Sequence, residues 1–472
     1  MTPIEIAGRQ VARVHPALPI FRIDDGPRTL FYTPGHLEVS SAADAAAIDA
    51  ALRAGSDDLT SPAARRLETR GRQAVQSWRE LAERPFEPEC LTVYLSNRCN
   101  LGCAYCYAAP VEPVRARRRL RVLSDRADAD FPIVSERVVA AAARFVARSC
   151  AKKSKPLALI LHGGGEPTLH WDLVVDIRRE AGLIADAHQL SLWAYIATNG
   201  VLPEDRAAWL ARHFTVIGLS CDGPPDIQNA NRPGASGAPT SAIVERTARV
   251  LVASGAEFHV RATITPDAVR RQPEIAAYCC DRLGARTVRF EPAYDGRRSP
   301  SRFRPGDAEE FVLYFLEARE AARARGCELH VSGVRLDEIH GPYCNPLREV
   351  LQLTPDGTAS ACFLTAGNQD PEDAAFALGH LDPSTGEFVV DQQRAAAVRR
   401  RAARIPRRCE ACFNIHHCAR DCPDVCLLSA EDLDERHEGF RCRTQKLLAL
   451  AWIREMADGW KGSEGRGGDD DE

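Results

Sequence analysis

The alternation of apolar and helix-like segments between residues 91 and 292 constrains the fold more than any other feature of the chain. Six nearly continuous apolar segments occupy 91–96, 157–163, 192–198, 215–220, 258–265 and 287–292, and helical patterns lie near 135–149, 171–187, 203–213, 241–254 and 268–283. Apolar strands that alternate with helices indicate a parallel sheet covered by helices. The pattern predicts an α/β fold, a partial (β/α)6 TIM-like barrel, whose chemistry lies at the carboxyl ends of its strands.

The flanking segments predict further regions. Residues 1–88 contain strand-like segments and then two helical segments that start at Ser41 and Ser61, which are residues suited to N-capping, so a small α+β module is expected there. We place the barrel at 89–300, a bridging helical region at 301–342, a cysteine-rich domain at 343–445, and a C-terminal helix with a disordered acidic tail at 446–472. The arginine-rich stretch 109–134 is expected to be a loop.

Composition limits the partners that this chain can have. The net charge of −4 gives no argument for nucleic acid or an anionic membrane, and no apolar run reaches the length of a transmembrane helix. The first residues lack a signal-peptide pattern, so we expect a cytoplasmic protein. Seventeen cysteines in a reducing compartment favour metal binding over disulfides.

The first cysteine set is Cys99, Cys103 and Cys106, spaced C-x3-C-x2-C after the first strand. Tetrahedral zinc and common iron–sulfur clusters take four protein ligands, so three thiolates leave one position open. An open position is where a substrate or cofactor binds in catalytic metal sites. A zinc loop or a redox-active cysteine loop is the alternative by spacing alone.

Polar residues follow the later strands, where the carboxyl ends of a parallel sheet share one edge. Glycines let the backbone approach a ligand closely, and a carboxylate can accept hydrogen bonds from an ammonium group. Taken singly, each residue is at least as well explained as a turn or loop cap. They are Gly164, Gly165 and Glu166 after the second strand, Thr198 and Asn199 after the third, Ser220 and Asp222 after the fourth, and Arg261 within the fifth.

The cysteine loop with Tyr105, the Gly164–Pro167 sequence GGEP, and the stretches 197–200 and 219–232 resemble the motifs of the radical S-adenosylmethionine (SAM) family. The resemblance implies a [4Fe–4S] cluster on Cys99, Cys103 and Cys106, whose open iron binds the amino and carboxylate groups of SAM. One electron then cleaves SAM to methionine and a 5′-deoxyadenosyl radical, which abstracts a hydrogen atom from the substrate. The strand-end residues above, together with Tyr105, become candidate SAM contacts; for Arg261 a structural Asp or Glu is an equal alternative partner.

A second cysteine pattern follows the barrel and resembles the SPASM extension of radical SAM maturases, so that the resemblance covers about 91–445. It implies two auxiliary iron–sulfur clusters of the [4Fe–4S] type. By that pattern Cys409, Cys412, Cys418 and Cys442 hold the second cluster, and Cys344, Cys362 and Cys422 hold part of the first. The first cluster then has an open iron or a fourth ligand among Cys327, Asp337, Glu338, His340 and Cys426. A pair of zinc sites that use His416 or His417 is the alternative.

The resemblance implies a maturase that oxidatively crosslinks or otherwise alters a side chain of a ribosomal precursor peptide, with flavodoxin or ferredoxin as electron donor. Residues 1–88 then bind the peptide leader, or simply cap the barrel. A sulfatase maturase that forms formylglycine is one alternative, weakened because Phe363 stands where that group places a catalytic Asp. A dehydrogenase of small alcohols or sugars and a non-enzymatic zinc module are the others. Tyr294, Asp295 and Arg297 are expected either to line the substrate pocket or to form a surface turn.

Overall fold

The computed structural model describes residues 4–6, 8–55, 61–108, 132–294, 303–365, 374–422, 426 and 438–459. Most of the stretch 109–134, Asp295, Arg297 and the acidic tail lie outside the described residues. Within the described part, no helix combines the length and the apolar character needed to cross a bilayer.

The N-terminal segment forms an antiparallel five-stranded meander followed by two helices. Its strands are β1 Ile4–Ile6, β2 Arg9–Arg13, β3 Phe21–Asp25, β4 Arg28–Thr33 and β5 His36–Ser41, and its helices are α1 Ala42–Ala54 and α2 Pro62–Glu83. The Ser41 side chain accepts a hydrogen bond from the Asp44 amide, and the Ser61 side chain accepts one from the Ala64 amide, so both predicted N-caps are confirmed.

Six parallel strands, paired in chain order, form the centre of the molecule and confirm the predicted α/β class. They are β6 Cys90–Val93, β7 Leu157–Leu161, β8 Leu192–Thr198, β9 Val216–Ser220, β10 Phe258–Ile264 and β11 Thr287–Pro292. The helices between them are α3 Glu136–Lys152, α4 Trp171–Ala187, α5 Glu204–His213, α6 Pro225–Asn231, α7 Ser241–Ala253 and α8 Gln272–Asp281. Side chains on β10 alternate between buried and half-buried, so one face packs on the helices and the other faces the hollow of the curved sheet.

The sheet stays open and continues beyond the predicted barrel on both sides. After helix α9 Ala308–Arg323, strand β12 Glu328–Val331 pairs in parallel with β11, so the stretch 301–342 contains a strand besides its predicted helix. On the other side β13 Val350–Leu353 pairs in parallel with β6. The remaining elements are β14 Ala359–Ser360, β15 Ala377–Leu381, β16 Phe388–Val390, α10 Gln392–Ala403 and α11 Phe440–Asp458.

The N-terminal segment packs against the C-terminal cysteine-rich region. The ring of Trp78 on α2 meets the ring of His416 edge-on at 5.5 Å. The Tyr32 hydroxyl on β4 hydrogen-bonds with His417 Nε2 at 2.8 Å. Both histidines are buried by these contacts, so the N-terminal module supports the region in which the second cysteine pattern lies.

Candidate active site

The first cysteine loop, 99–106, is held against the segment that follows α6. The Gly102 amide donates to the Pro233 carbonyl at 2.8 Å, and the Ala104 amide donates to the Asn231 carbonyl at 3.0 Å. These backbone bonds fix the loop at the carboxyl end of the parallel sheet, where chemistry is expected in α/β barrels.

Gly164 and Gly165 bring the loop after β7 into contact with the start of the cysteine loop. A Cβ on Gly165 would overlap the carbonyl oxygens of Ser96 and Arg98, and its φ of +71° favours glycine. A Cβ on Gly164 would overlap the ring of Tyr94. Only glycine fits at these two positions, because the backbone here packs closely against protein atoms; the approach to a ligand that the sequence predicts for them stays a prediction.

Glu166 joins three strand ends. Its buried carboxylate accepts hydrogen bonds from the Thr168 hydroxyl at 2.7 Å, the Thr198 hydroxyl at 2.9 Å and the Asn199 amide at 2.7 Å. Its own amide donates to the Arg98 carbonyl at 2.8 Å. Burial raises the pKa of Glu166 despite these bonds. An ammonium group beside this carboxylate would favour its charged form.

Asn199 connects the end of β8 to the cysteine loop. Its side-chain amide donates to Asn100 Oδ1 at 2.7 Å and points at Cys99 Sγ at 3.9 Å. Burial raises the pKa of Cys99 to about 12 and that of Cys103 to about 11. Such thiols ionise when a bound metal stabilises the thiolate.

Asp222 is fully buried, and both oxygens of its carboxylate accept hydrogen bonds from protein groups. Its carboxylate accepts from the Tyr105 hydroxyl at 2.6 Å, Arg232 Nε at 2.8 Å and the Thr263 amide at 2.9 Å. Tyr105 lies inside the cysteine loop, so the hydrogen bond from its hydroxyl to Asp222 ties the loop to the Asp222–Arg232 ion pair. The sequence did not single out Arg232; its only signal was a basic residue at the end of the motif stretch 219–232.

Ser220 and Arg261 are paired in register on β9 and β10 and lie on the face towards the hollow. The Arg261 guanidinium makes no hydrogen bond or ion pair with another described residue. Burial lowers the pKa of Arg261, but Glu291 and Tyr294 raise it by more, so the side chain is charged. Glu291 is the charged neighbour of this half-buried cation, whose N–H groups donate to no acceptor among the described residues and so suit an anionic group of a ligand.

Stacked rings form one wall of the hollow. Tyr195 stacks on Trp193 at 6.2 Å and on His259 at 5.7 Å, and a Cβ on Gly218 would collide with the Tyr195 ring. Burial first, and then Arg261, lowers the pKa of His162 to about 3. The hollow therefore presents aromatic and neutral imidazole surfaces beside the guanidinium groups of Arg261 and Arg289, which are paired in register on β10 and β11.

The second cysteine pattern separates into two groups in space. The chain turns sharply between Cys418 and Cys422, because Arg420 and Asp421 both adopt positive φ, 56° and 62°. The thiols of Cys409, Cys412, Cys418 and Cys442 interact electrostatically with one another, and those of Cys344, Cys362 and Cys422 do likewise.

The surroundings of Cys409 and Cys418 suit an iron–sulfur cluster, whose sulfur atoms accept hydrogen bonds. Arg420 is 2% exposed, yet its Nε and Nη2 have no hydrogen-bond partner among the described residues. Burial lowers the pKa of Arg420, and the nearby thiols of Cys409 and Cys418 act against that shift. Cluster sulfur atoms would accept from such donors. Among the described residues, no three His, Cys, Asp or Glu side chains gather as closely as around a single metal ion.

A row of aromatic rings connects the first cysteine loop to the group that contains Cys362. Tyr107, next to Cys106, packs on Tyr294 at 5.7 Å, and Tyr294 packs on Phe363 at 6.4 Å. Phe363 directly follows Cys362 in the chain. The Tyr107 hydroxyl is buried and has no hydrogen-bond partner among the described residues. These rings therefore lie between the first cysteine loop and Cys362.

Comparisons with known proteins agree with this geometry. The model of the radical SAM superfamily matches residues 93–267. A cysteine-type anaerobic sulfatase-maturating enzyme of Clostridium perfringens is 26% identical over 188 residues, which are 39% of this chain and 46% of the relative. The pre-heme d1 synthase of Dinoroseobacter shibae is 29% identical over 245 residues, 50% of this chain and 52% of the relative. The chain spans about half the length of these curated relatives.

Among solved structures, native anSMEcpe with bound AdoMet has a similar fold, with a TM-score of 0.57 at 18% identity, covering 78% of this chain and 99% of that one. A radical SAM match implies a [4Fe–4S] cluster and SAM, and the three-thiol loop suits them. The chain therefore carries, over residues 93–267, a domain that matches the radical SAM superfamily.

Proposed function

We propose that this chain is a radical SAM/SPASM maturase that oxidatively modifies a side chain of a ribosomal peptide. The observation that carries the proposal is the row of rings Tyr107, Tyr294 and Phe363 between Cys106 and Cys362, because it links the first cysteine loop to an auxiliary cysteine group. Cys99, Cys103 and Cys106 would hold the cluster, and when bound it would supply, together with SAM, the one-electron chemistry that starts the removal of a hydrogen atom from the substrate.

The residues of the chain have distinct tasks in this proposal. Gly164 and Gly165 let the loop after β7 pack closely against Tyr94 and the Ser96 and Arg98 carbonyls beside the cysteine loop. Glu166 Oε2, which within the described residues accepts a hydrogen bond only from the Asn199 amide, accepts from the ammonium group of SAM in this proposal. Arg261 binds an anionic group, either the SAM carboxylate or an acidic group of the peptide. The rings of Tyr107, Tyr294 and Phe363 exclude water from the reacting side chain in this proposal.

Auxiliary clusters on the two C-terminal cysteine groups would accept the electron that the substrate loses, as an oxidative modification requires. Burial and hydrogen bonds to sulfur tune such potentials. The N-terminal module binds the peptide leader in this proposal; β1 is one edge of its sheet, and an extended peptide can add to such an edge.

The test uses the full chain, purified and reconstituted without oxygen. With SAM and a strong reductant it should form 5′-deoxyadenosine, and with a peptide encoded by a neighbouring short reading frame it should give a product that lacks two hydrogen atoms. The variant Cys103→Ala should form neither product. Failure of the wild-type chain to form 5′-deoxyadenosine would contradict the proposal.

Sulfatase maturation is a second candidate because of the likeness to the Clostridium perfringens enzyme. Phe363 packs between the rings of Tyr294 and Tyr343 and offers no carboxylate to take a proton. A cysteine-containing sulfatase peptide incubated under the same conditions decides this: formylglycine in the product would establish the second candidate instead.

A further inference from the structure

We propose that Arg289 and Arg261 together bind a carboxylate of the substrate, so that the peptide modified by this chain carries an aspartate or glutamate close to the residue that reacts. The inference deepens the proposed function and rests on it. It names a pair of specificity-determining side chains in the hollow of the parallel sheet, and it assigns Arg261 to the substrate rather than to SAM.

Arg261 on β10 and Arg289 on β11 are direct neighbours. The two residues pair in register on parallel strands, so their side chains leave the sheet on the same face. Arg261 is half-buried and Arg289 is exposed, whereas the residues on either side of them in both strands are buried in the core, so this face is the one that lines the hollow. Two adjacent cations repel each other, and an anion between them would remove that repulsion.

Neither guanidinium has a hydrogen-bond acceptor or an ion-pair partner among the described residues. The carboxylate that follows Arg289 on the same face of β11 is Glu291, which is buried and accepts a hydrogen bond from the Ser332 hydroxyl. The inward face of β10 and β11 therefore carries two guanidinium groups and one carboxylate. A second anion would balance these charges and satisfy the N–H donors.

The other titratable side chains around the pair do not supply that anion. Burial first, and then Arg289 and Arg261, lowers the pKa of His259 to about 4, so this imidazole is uncharged at neutral pH. Glu328 on β12 pairs with His330 at 3.1 Å, and its side chain is 74% exposed. An anion that contacts both guanidinium groups therefore has to belong to a bound molecule.

A flat surface of rings continues from the pair towards β8. The Tyr195 ring is nearly parallel to the rings of Trp193 and His259, with interplanar angles of 3° and 12°. The Tyr195 hydroxyl lies 3.4 Å from His259 Nε2, and the ring lies over Gly218, where any Cβ would collide with it. Such a surface packs against the apolar part of a ligand, while the guanidinium groups bind its charged end.

A peptide carboxylate is the anion that this position favours. Guanidinium groups bind carboxylates through paired N–H donors, and Asp and Glu supply the anionic side chains of an unmodified ribosomal peptide. Tyr294 follows the end of β11 by two residues and packs on Tyr107 beside the first cysteine loop. In the proposed function the reacting side chain lies at these rings, so the acidic residue is expected close to it in the peptide.

The test is a peptide selection with the full-length chain, reconstituted without oxygen and supplied with SAM. A library of short random peptides with blocked termini is mixed with the wild-type chain, Arg289→Gln, Arg261→Gln or Arg286→Gln, and the bound peptides are sequenced by mass spectrometry. Arg286→Gln is the matched control, because Arg286 is exposed and lies just before β11.

Peptides bound by the wild-type chain and by Arg286→Gln should be enriched in Asp and Glu, and those bound by Arg289→Gln or Arg261→Gln should not. A selected acidic peptide should bind Arg289→Gln about 10-fold to 100-fold more weakly than it binds the wild-type chain. Its amide counterpart, with Asn for Asp or Gln for Glu, should bind the wild-type chain more weakly by a similar factor. Because Arg289 is exposed, its replacement tests the proposal without disturbing the core.

Three results would overturn the inference: no enrichment of acidic residues with the wild-type chain, the same enrichment with Arg289→Gln, or a loss of SAM affinity in Arg289→Gln or Arg261→Gln measured by equilibrium dialysis. The last result would assign that guanidinium to the SAM carboxylate. Failure of the wild-type chain to form 5′-deoxyadenosine would instead contradict the proposed function, and the charge preference of the bound peptides would still decide for or against the arginine pair.

Discussion

The buried ion pair between Asp222 and Arg232 gives the sharpest test of how the cysteine loop is held. Both side chains are shielded from water, with the Asp222 carboxylate fully buried and the Arg232 side chain 11% exposed. Replacing Asp222 with Asn keeps the shape of the side chain but leaves the guanidinium without its counter-ion. Breaking a buried pair in this way costs about 3–5 kcal/mol.

Two further variants give reference values for that loss of folding stability. Tyr105→Phe removes one hydrogen bond to a charged group, which is worth about 1.5–3 kcal/mol. Asp226→Asn is the matched control, because the Asp226 carboxylate is 64% exposed and pairs with Arg271 at the surface, where such a pair contributes at most about 1 kcal/mol.

The assay is urea unfolding of the metal-free chain, followed by iron analysis of reconstituted protein and equilibrium dialysis with SAM. We expect Asp222→Asn to lose stability and loop iron together, and its loss in the double variant with Tyr105→Phe to be less than additive, because the two groups share one hydrogen bond. If Asp222→Asn costs no more than Asp226→Asn, the reasoning fails. If it retains iron and loses only SAM affinity, Asp222 is a SAM ligand instead.

Further predictions concern Gly165 beside the cysteine loop, Arg420 beside Cys409 and Cys418, and His162 in the hollow of the sheet. Gly165→Ala should lower stability by about 1–3 kcal/mol and reduce loop iron, whereas Gly237→Ala, also at positive φ but with open space around it, should leave loop iron unchanged. Arg420→Gln should lower the midpoint potential of the second auxiliary cluster, measured by a redox titration, because it removes a buried positive charge. The pKa of His162, about 3 in the folded chain through burial and Arg261, lies below that of the unfolded chain. Stability should therefore fall as the pH drops from about 6.5 towards 3, by up to about 1.4 kcal/mol per pH unit, and urea midpoints of His162→Gln should show a shallower fall.

The central strands could be predicted because their periodicity is local. Segments such as 192–198 and 258–265 are apolar over most of their length and are bounded by turn residues, so their identity needs no distant partner. The outer strands could not be predicted in that way. The β12 sequence ELHV is four residues long and exposes alternate side chains, and β13 becomes part of the sheet only because it pairs with β6, about 260 positions earlier.

The site was predicted as a location but not as a set of contacts. Residues at the carboxyl ends of neighbouring parallel strands must share an edge, and Glu166 and Asn199 do so at 2.7 Å. Whether such a side chain meets protein or ligand depends on partners far away in sequence, such as Arg232 for Asp222 and Glu291 for Arg261. Those partners lie in segments whose own local pattern indicates only a helix end or a strand.

The contacts of the motif carboxylates change the role that we assign to them. Glu166 receives three of its hydrogen bonds from Thr168 and Thr198 and one from Asn199, while Asp222 receives all of its bonds from the protein. Both acids connect strand ends to the cysteine loop, directly or through one residue. Their removal should therefore first disturb the spacing of the three thiols. For Asp222, loss of the cluster would then precede loss of SAM binding. For Glu166, whose Oε2 is also offered to SAM, both should be lost together, so iron content and SAM affinity measured side by side separate a positioning residue from a cofactor ligand.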